Sequence, residues 1–563
     1  MPQDAFTLRY LCEELDALFA GGKINRIVQP NVNATVFTVY TFSGVKRLIL
    51  DVNPSCPRIG IAETEPFATS ATYNFCMLLR KHLLSATIEK ISLVGFDRIV
   101  RIDLAPSTEF FDAAKKSLYV ELMGRYSNVI LTENGKVLGG NRGINFLDNN
   151  VRPLITGMEY RLPPVGDKAP PDDISLKERF VSGENLAENI CAFIQGIAPS
   201  TAKEIERGYF DKCDRFDTQS FLAYLNDYIR NSQKNPCVFY ENGTAVDVCV
   251  YPYKTLKNSY KTFDSLYTAE DAFFSEKESR KRFKDLYDKL LSVANTGIKK
   301  CKKRLFAVLS RIAEAENAEE NRIKGELILA NIYRLKGGEE NVVFTNYYDG
   351  TETEIKLDAR LSPSANAESY YKKYNKQKRA LASLIPQKEA AEQDVLYLES
   401  VTCEIALCET FSDLKAVEDE LYLSGIIKKP NLKNGKKAEE ILKPKTYAKN
   451  GWTIKVGRNN AENDKITFSA KPTDIWLHAK DYHSAHVIIE TGGKKPPDSV
   501  ITAAAEICAY YSKGRDGGKT EVVYCEKKYV KKPKKSALGF CTYTDYKSVT
   551  VTPAVHAEML KER

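Results

Sequence analysis

Two long stretches of charged, helix-periodic sequence, with a short strand-like insert between them, constrain this chain more than any other feature. Over residues 276–335, Leu286, Leu290, Val293, Leu305, Val308 and Ile312 recur at steps built of three and four amid Lys, Arg and Glu, and Gly337-Gly338 stops the pattern. NVVFTNYY and TETEIKL then read as a strand pair turning at Asp349-Gly350. A second helical pattern covers 364–401, carrying Leu381, Leu384, Val395 and Leu398, with a kink expected at Pro386. Two long helices joined at a distal tip predict an antiparallel coiled-coil hairpin over 276–425, with the strand insert at its tip. An arm of this kind bridges or probes a large partner and rarely forms an active site.

The arm divides the rest of a chain that, at 563 residues, exceeds what one hydrophobic core serves. Residues 1–172 read as mixed α and β: a helix over 6–20 ending at Gly21-Gly22, strands at 34–40, 46–52, 91–96, 98–104, 116–123 and 128–133, and a helix near 69–84. Asn134-Gly135 turns a hairpin into KVLGG, and the prolines of LPPVGDKAPP mark a linker. In 173–275, short helices at 185–193 and 199–206 flank QGIAP. That is either a helix-hairpin-helix whose Gly196 admits a phosphate to the backbone or, as the residues favour, a plain αα turn. A lysine-rich linker, 426–446, leads to an α/β unit over 447–563, with strands near GWTIKVG, KITFSA, DIWLHA, HVIIE, EVVYC and SVTVTP and a helix at 499–512.

Composition removes several classes of function. The longest apolar runs, such as VIIE, fall far short of the ~20 residues a membrane span needs. Met1-Pro2-Gln3-Asp4 is no secretory signal, and thirteen cysteines without a C-x-x-C read as reduced thiols in a cytoplasm. The net charge of +8 matters less than its placement: eight lysines against two glutamates between Lys428 and Lys449, and six lysines in the nine residues KKYVKKPKK, Lys527, Lys528, Lys531 and Lys532 among them. Such clusters favour polyanions through phosphate contacts and counterion release, although a solvated basic face has the same composition.

No catalytic motif appears. GRDGGKT has Lys513 where a phosphate-binding loop needs glycine, and G-x-S-x-G, H-E-x-x-H and dinucleotide fingerprints are absent. DIWLHAKDYHSAHVII gathers three of five histidines. Strand geometry lets His478 approach His486 while His483 lies outward in the turn. That is a poor zinc set without a thiolate or carboxylate, and an acid–base pair without a nucleophile. Packing, hydrogen bonding or stacking on RNA are the readings left for His478 and His486, with Lys480 beside them. A sharper polar constellation lies earlier. Asp97-Arg98 breaks two apolar strands in VGFDRIVRI, and Glu121, Gly124, Arg125, Ser127 and Asn128 cluster in VELMGRYSNVIL. An arginine in such a turn grips a phosphate or closes an internal salt bridge, and the residues alone leave both open.

GFDRIV, ELMGRYSNVIL, LSPSANAESYYKKYNKQK and DIWLHAKDYHSAHVII, in this order along the whole chain, resemble the signature segments of the NFACT family. The resemblance implies a glycosylase-like NFACT-N domain, a helix-hairpin-helix region, the coiled-coil hairpin and an RNA-binding NFACT-R domain. It implies a ribosome-associated quality-control factor that binds large ribosomal subunits obstructed by peptidyl-tRNA. Such a factor recruits charged tRNA, mainly alanyl-tRNA, for template-free C-terminal tailing that marks the stalled chain for proteolysis. The ribosome makes the peptide bonds, so neither enzyme activity, cofactor nor metal is implied; a small RNA-binding accessory factor is a further expected partner. Asp97 and Arg98 match the family's tRNA-binding Asp-Arg pair, and Glu121, Leu122 and Met123 match the neighbouring segment, with Arg125 just beyond. Glycosylase activity is not implied, since Met1-Pro2 is followed by Gln3 rather than by the glutamate of such enzymes. The usual Ile-Pro-Gly-Ser-His-Val turn is here Tyr482-His483-Ser484-Ala485-His486-Val487, which keeps His486 and loses the Pro-Gly. A surface adhesin binding fibronectin, the older family label, is the competing expectation, and a nucleic-acid repair enzyme a third.

Overall fold

Asp4 anchors two helices that are far apart in sequence. Its Oδ1 accepts from the Thr7 amide to cap Ala5–Phe19, and its Oδ2 accepts from the Ala198 amide and the Thr201 hydroxyl at the start of Pro199–Phe210. This computed structural model describes residues 3–63, 73–105, 114–143, 152–428, 444–534 and 536–555. The chain is a mixed α/β multidomain protein that divides into two units, Met1–Ser279 and Arg280–Arg563.

The first unit is built on a nine-stranded antiparallel sheet. Its order runs Arg58–Ile61, Gly44–Asp51, Ala34–Thr41, Lys23–Val28, Thr87–Leu93, Ile99–Ala105, Lys116–Glu121, Asn128–Glu133, Lys136–Gly140. All six strands expected from alternation are present. Lys23–Val28 and Arg58–Ile61, too short or too charged to read from pattern, complete the sheet. Helix Ala5–Phe19 lays Phe6, Leu8, Leu11, Leu15 and Phe19 into the core, and Gly21 leaves it at φ +77°. Of the helix expected near 69–84, Asn74–Leu83 is described, and residues 64–72 lie outside the described residues.

The same core continues through Ile190, Ile205, Tyr209, Phe221 and Phe273, across the division expected at 172/173. The proline-rich 162–171 segment is tied down within it: the Ala169 amide donates to Phe193 O, and the Gln195 amide donates to Ala169 O. The short helices around QGIAP are Leu186–Phe193 and Pro199–Phe210. Gly196, at φ +68°, packs so that a Cβ would lie 2.4 Å from Ala5 Cβ and 3.0 Å from Phe96 O. Its close approach is therefore to its own chain, which favours the plain turn over a phosphate cradle.

The long helical region starts in the first unit with Leu266–Glu316, which runs on past Ser279, and continues in the second with Ala318–Ala330 and then Pro363–Leu407. Leu286, Leu290 and Ala294 meet Val401 and Ile405, Gly297 meets Leu398, and Glu314 O accepts from Gln377, so contacts ascend one helix as they descend the other. Strands Asn341–Thr345 and Glu352–Lys356 form the expected pair, and the second helix runs on through Pro386 to Leu407. Helix Phe411–Leu423 went unread, although Thr410 and Asp413 supply a reciprocal capping box in its sequence.

The C-terminal sheet has six antiparallel strands ordered Lys445–Lys449, Trp452–Val456, Val487–Glu490, Ile475–Ala479, Thr520–Glu526, Lys547–Val551. Helix Asp498–Tyr510 covers one face through Val500, Ala504, Ile507 and Cys508 against Leu477, Val487, Ile489 and Val522. KITFSA is not the strand its β-branched residues suggest. Asn459 accepts from the Glu462 amide and Glu462 returns a contact to the Arg458 amide, which starts helix Asn460–Ser469. That helix covers the other face, where Ile466 packs with Trp476, Ile488 and Val523. Of the lysine-rich linker, 429–443 lie outside the described residues. Among the described residues no helix is long and apolar enough to cross a membrane.

Candidate nucleic-acid interface

In an antiparallel meander alternate turns share one end of the sheet. The Asp97-Arg98 turn, the Gly124–Tyr126 turn and the exit of Lys136–Gly140 therefore converge. The Arg98 amide donates to Asp97 Oδ1 at 2.7 Å, and the Leu122 amide donates to Arg98 O at 2.9 Å, which ties the first turn to the second. Gly124, at φ +57°, lets the chain turn so that Arg125 stands exposed with its guanidinium 4.7 Å from the Tyr126 ring centroid. Arg142 stitches the end together, donating to Arg125 O (2.9 Å), Asn33 Oδ1 (3.1 Å) and Val52 O (3.0 Å), while Asn128 bridges to its backbone in both directions. Asp97, Arg98 and Met123 are half-buried.

Glu121 and Leu122 are both buried, on opposite faces of the sheet. Glu121 is 2% exposed, gripped at both oxygens by Arg152, itself 7% exposed, and by the Tyr160 hydroxyl at 2.8 Å. Tyr160 stacks on Tyr119 at 3.9 Å, and burial together with the Glu121 carboxylate drives its phenol far above the usual range. Leu122 lies in the hydrophobic core. Burial keeps these two from direct RNA contact, a correction to their expected role: they fix the strand end from within, and the exposed charge beside them is Arg125. Of the two alternatives the residues left open, the internal salt bridge applies to Glu121, with a partner 31 positions away.

The C-terminal histidines come together as the strand register requires. Leu477 pairs with Val487, and one step further brings His478 opposite His486, with ring centroids 5.6 Å apart. Trp476 and His478, two residues apart, share a face and stack at 5.6 Å with planes 3° apart. His486 is 2% exposed. Its Nδ1 pairs with Thr467 Oγ1 at 2.8 Å and its amide donates to Asn463 Oδ1 at 2.9 Å, so its ring is held in place by the fold. Burial, then the neighbouring histidine, pushes His478 down to about 4 and His486 down to about 3, and both are neutral at pH 7. His483 is half-buried in the turn and is held low by burial and by Lys513. Among the described residues no group of three or more His, Cys, Asp or Glu is placed to hold a metal ion.

The lysines differ in availability. Lys480 pairs with Glu521 at 3.1 Å, Lys528 with Glu526 at 2.6 Å, and Lys532 with Asp464. Lys527 sits over Phe468, and Lys531 is exposed on the short strand Val530–Lys531, which pairs with Thr542–Tyr543. Sequence reasoning missed Arg142, Arg152 and Tyr160. The Asn-Arg-Gly turn at 141–143 carried a signal for the first; nothing local marked the other two.

A family model described as NFACT N-terminal and middle domains matches residues 4–440, and one described as NFACT protein RNA binding domain matches residues 445–539. The chain is 31% identical to the Rqc2 homolog RqcH of Streptococcus pneumoniae serotype 2 (strain D39) over 98% of each chain. It is 32% identical to the Rqc2 homolog RqcH of Bacillus subtilis (strain 168) over 96% of each. A solved structure, the N-terminal part of the fibronectin/fibrinogen-binding protein from Streptococcus suis, is 25% identical with a TM-score of 0.42, covering 48% of this chain and 98% of that one.

Proposed function

The chain belongs to the NFACT family, and on that premise we propose that it is a ribosome-associated quality-control factor. It binds large ribosomal subunits obstructed by peptidyl-tRNA and recruits charged tRNA, alanyl-tRNA in particular, for template-free C-terminal tailing that marks the stalled chain for degradation. The observation that carries this reading is similarity along almost the whole chain to proteins named Rqc2 homolog RqcH. The site geometry supports it: Arg125 exposed beside the Asp97-Arg98 turn at one end of a rigid sheet presents cationic groups of the kind that hold a phosphate backbone. Asp97 orders its turn by accepting from the Arg98 amide, while Glu121 and Leu122 act as positioning residues beneath it.

In this reading the glycosylase-like N-terminal sheet domain holds the tRNA without glycosylase chemistry. The paired helices act as a coiled-coil arm spanning part of the subunit; Pro363–Leu407 alone, 45 residues, is about 68 Å long. The C-terminal domain contacts RNA, in the cytoplasm, with a small RNA-binding protein as accessory. The ribosome supplies the chemistry, and the chain supplies position.

The test is to recover the tagged protein from cells and sequence the RNA that accompanies it, for the native chain and for Arg98→Ala. Large-subunit rRNA with an enriched tRNA, the tRNA depleted and tailing abolished in Arg98→Ala at unchanged melting temperature, is the expected result. Wild-type tailing by Arg98→Ala overturns the assignment of this turn, and recovery without ribosomal RNA overturns the function.

A further inference from the structure

Beneath the C-terminal half of helix Pro363–Leu407, that helix and the C-terminal sheet enclose a cavity of about 270 Å³. Pockets that take drug-sized ligands run from about 300 to 1,000 Å³, so this one suits a single heterocycle. Its wall is aromatic on one side: Trp476, His478 stacked parallel to it, and Tyr543, whose ring centroid is 5.2 Å from that of Trp476. Phe540 stands in the same wall, 37% exposed. The opposite side is the helix itself, with Ser400, Cys403 and Glu404.

Two polar atoms of this lining are anomalous. Trp476 is fully buried, and its indole Nε1 has no hydrogen-bond partner among the described residues. Glu404 Oε2 is likewise shut off from solvent without a partner among the described residues, although the carboxyl group accepts from the Asn460 backbone. Nearby Glu420, by contrast, is satisfied by the Tyr397 hydroxyl (2.8 Å), Asn460 Nδ2 (3.2 Å) and the Ala461 amide (3.1 Å). A buried polar atom without a partner costs roughly 1–3 kcal/mol, and such atoms are rare enough to ask what completes them. Of the two residues Glu404, half-buried, is the one a ligand can reach, and burial and the Glu420 charge hold its carboxyl group towards the protonated form; Trp476 backs the wall without exposed surface. A protonated carboxyl group beside aromatic faces calls for a flat molecule with a mixed donor–acceptor edge.

The surroundings supply the rest of such a ligand. An adjoining depression shares Cys403, Leu407 and His483 with the cavity and adds the exposed Lys513. Tyr543 belongs to the short strand that pairs with Val530–Lys531, so Lys531 and the cavity wall belong to one strand pair. Cations stand outside the cavity; inside it, Lys445 is paired with Asp413 and Arg458 with Glu462. Charge at the rim and neutral stacking faces within are the arrangement that holds an unpaired nucleotide: phosphate outside, base within.

We propose that this cavity is a nucleobase site, in which one unstacked base of single-stranded RNA inserts against the wall of His478, Tyr543 and Phe540, backed by the buried Trp476, and hydrogen-bonds to Glu404. This inference rests on the reading of the C-terminal domain as RNA-binding, and adds to it a ligand class and a place. It makes unpaired RNA the preferred ligand, since a base held in a duplex cannot enter.

The full-length chain is titrated with labelled unpaired octamers, rA8 and rU8, and with a stem of matched length, and binding is read by fluorescence anisotropy. An octamer is expected to bind at least about tenfold more tightly than the stem, the scale of one base–aromatic stack. Glu404→Leu removes both hydrogen-bonding oxygens in a similar volume and should weaken octamer binding about tenfold. Glu404→Gln, which keeps a donor and an acceptor, should retain it. Cys403→Phe, filling the cavity from the helix, should abolish the preference for unpaired RNA, with melting temperature recording that each variant is folded. Equal affinity for octamer and stem, or a folded Cys403→Phe binding octamers within twofold of native, overturns the proposal. The two readings fail separately: tailing and tRNA recovery by Arg98→Ala test the tRNA reading, and the octamer-over-stem preference of Cys403→Phe tests this one.

Discussion

The two polar centres of this protein solve the problem of buried charge in opposite ways. At the end of the N-terminal sheet, Glu121 is buried and fully used, gripped by Arg152 and Tyr160, and Arg125 stands outside over its own Tyr126. Around Trp476, exposed lysines stand at the rim while buried Nε1 and Glu404 Oε2 lack partners among the described residues. A satisfied centre is a rigid platform whose function lies in what it holds up. An unsatisfied one has its function inside it. The contrast predicts that substitutions beneath the first centre should cost stability, and that conditions which charge the second should open it.

The largest effect belongs to Glu121→Ala. It leaves the Arg152 guanidinium buried beside a vacated carboxylate site, and breaking one half of such a pair costs about 3–5 kcal/mol. Urea unfolding followed by a probe in the N-terminal unit should show that loss. Glu121→Leu combined with Arg152→Met should recover much of it, because the charge is then removed from both sides. A single variant as stable as the native protein would break the comparison, since Glu121 would then not be the platform's ion-pair core.

The next effect runs through pH. His486 is buried and held down to about 3, so its folded form resists protonation while the unfolded side chain titrates near 6.5. The unfolded state therefore binds the extra proton between those values, and this contribution to stability is present above 6.5 and is lost as pH falls. At pH 5 the loss is about 2 kcal/mol for this one residue. Burial raises Glu404 and Glu420, which act in the opposite sense in acid, so the informative quantity is a difference. Between pH 7.5 and 5.0 the native C-terminal transition should lose about 2 kcal/mol relative to His486→Asn. Parallel profiles would mean that His486 is not the buried neutral group its contacts with Thr467 and Asn463 imply.

How much of this was legible follows the range of the interactions. Strands such as Ala34–Thr41 and Asn128–Glu133 announce themselves by alternation, and helix Ala5–Phe19 by its periodic face and the Gly21 stop, because those signals are local. The pairing of His478 with His486 was readable too, since strand parity alone decides it. KITFSA misled because its β-branched residues outweighed a cap lying upstream at Asn459. Arg152 and Glu404 were invisible for a different reason. Each acquires its meaning from a group brought up by the fold, Glu121 in one case and the aromatic wall of the C-terminal sheet in the other. The Asp97-Arg98 turn was found by pattern, but which of its neighbours face inward was set by the sheet.

A smaller effect tests the exposed half of the first centre. Arg125→Ala removes one outward cation from a 3₁₀ turn that Arg142 holds through the Arg125 carbonyl, a backbone contact the substitution keeps. Melting temperature should not move, while tRNA binding weakens severalfold and the slope of log affinity against log salt becomes shallower by about 0.7–0.9, one phosphate contact. An unchanged slope would take Arg125 out of the interface and leave the platform without its outward charge.

The smallest effect distinguishes lysines by their partners. Lys528 already lies 2.6 Å from Glu526, so a phosphate must compete with that carboxylate, whereas Lys531 is exposed on the strand beside Tyr543. Lys531→Ala should weaken binding of unpaired RNA about two- to threefold and lower the salt slope by about 0.7, the value for one contact to a single strand. Lys528→Ala should do less on both counts, because releasing Glu526 offsets part of the lost attraction. Measured side by side across a salt series, the two variants show whether the rim of the C-terminal cavity acts through particular cations or through its summed charge. Equal slopes would favour the sum.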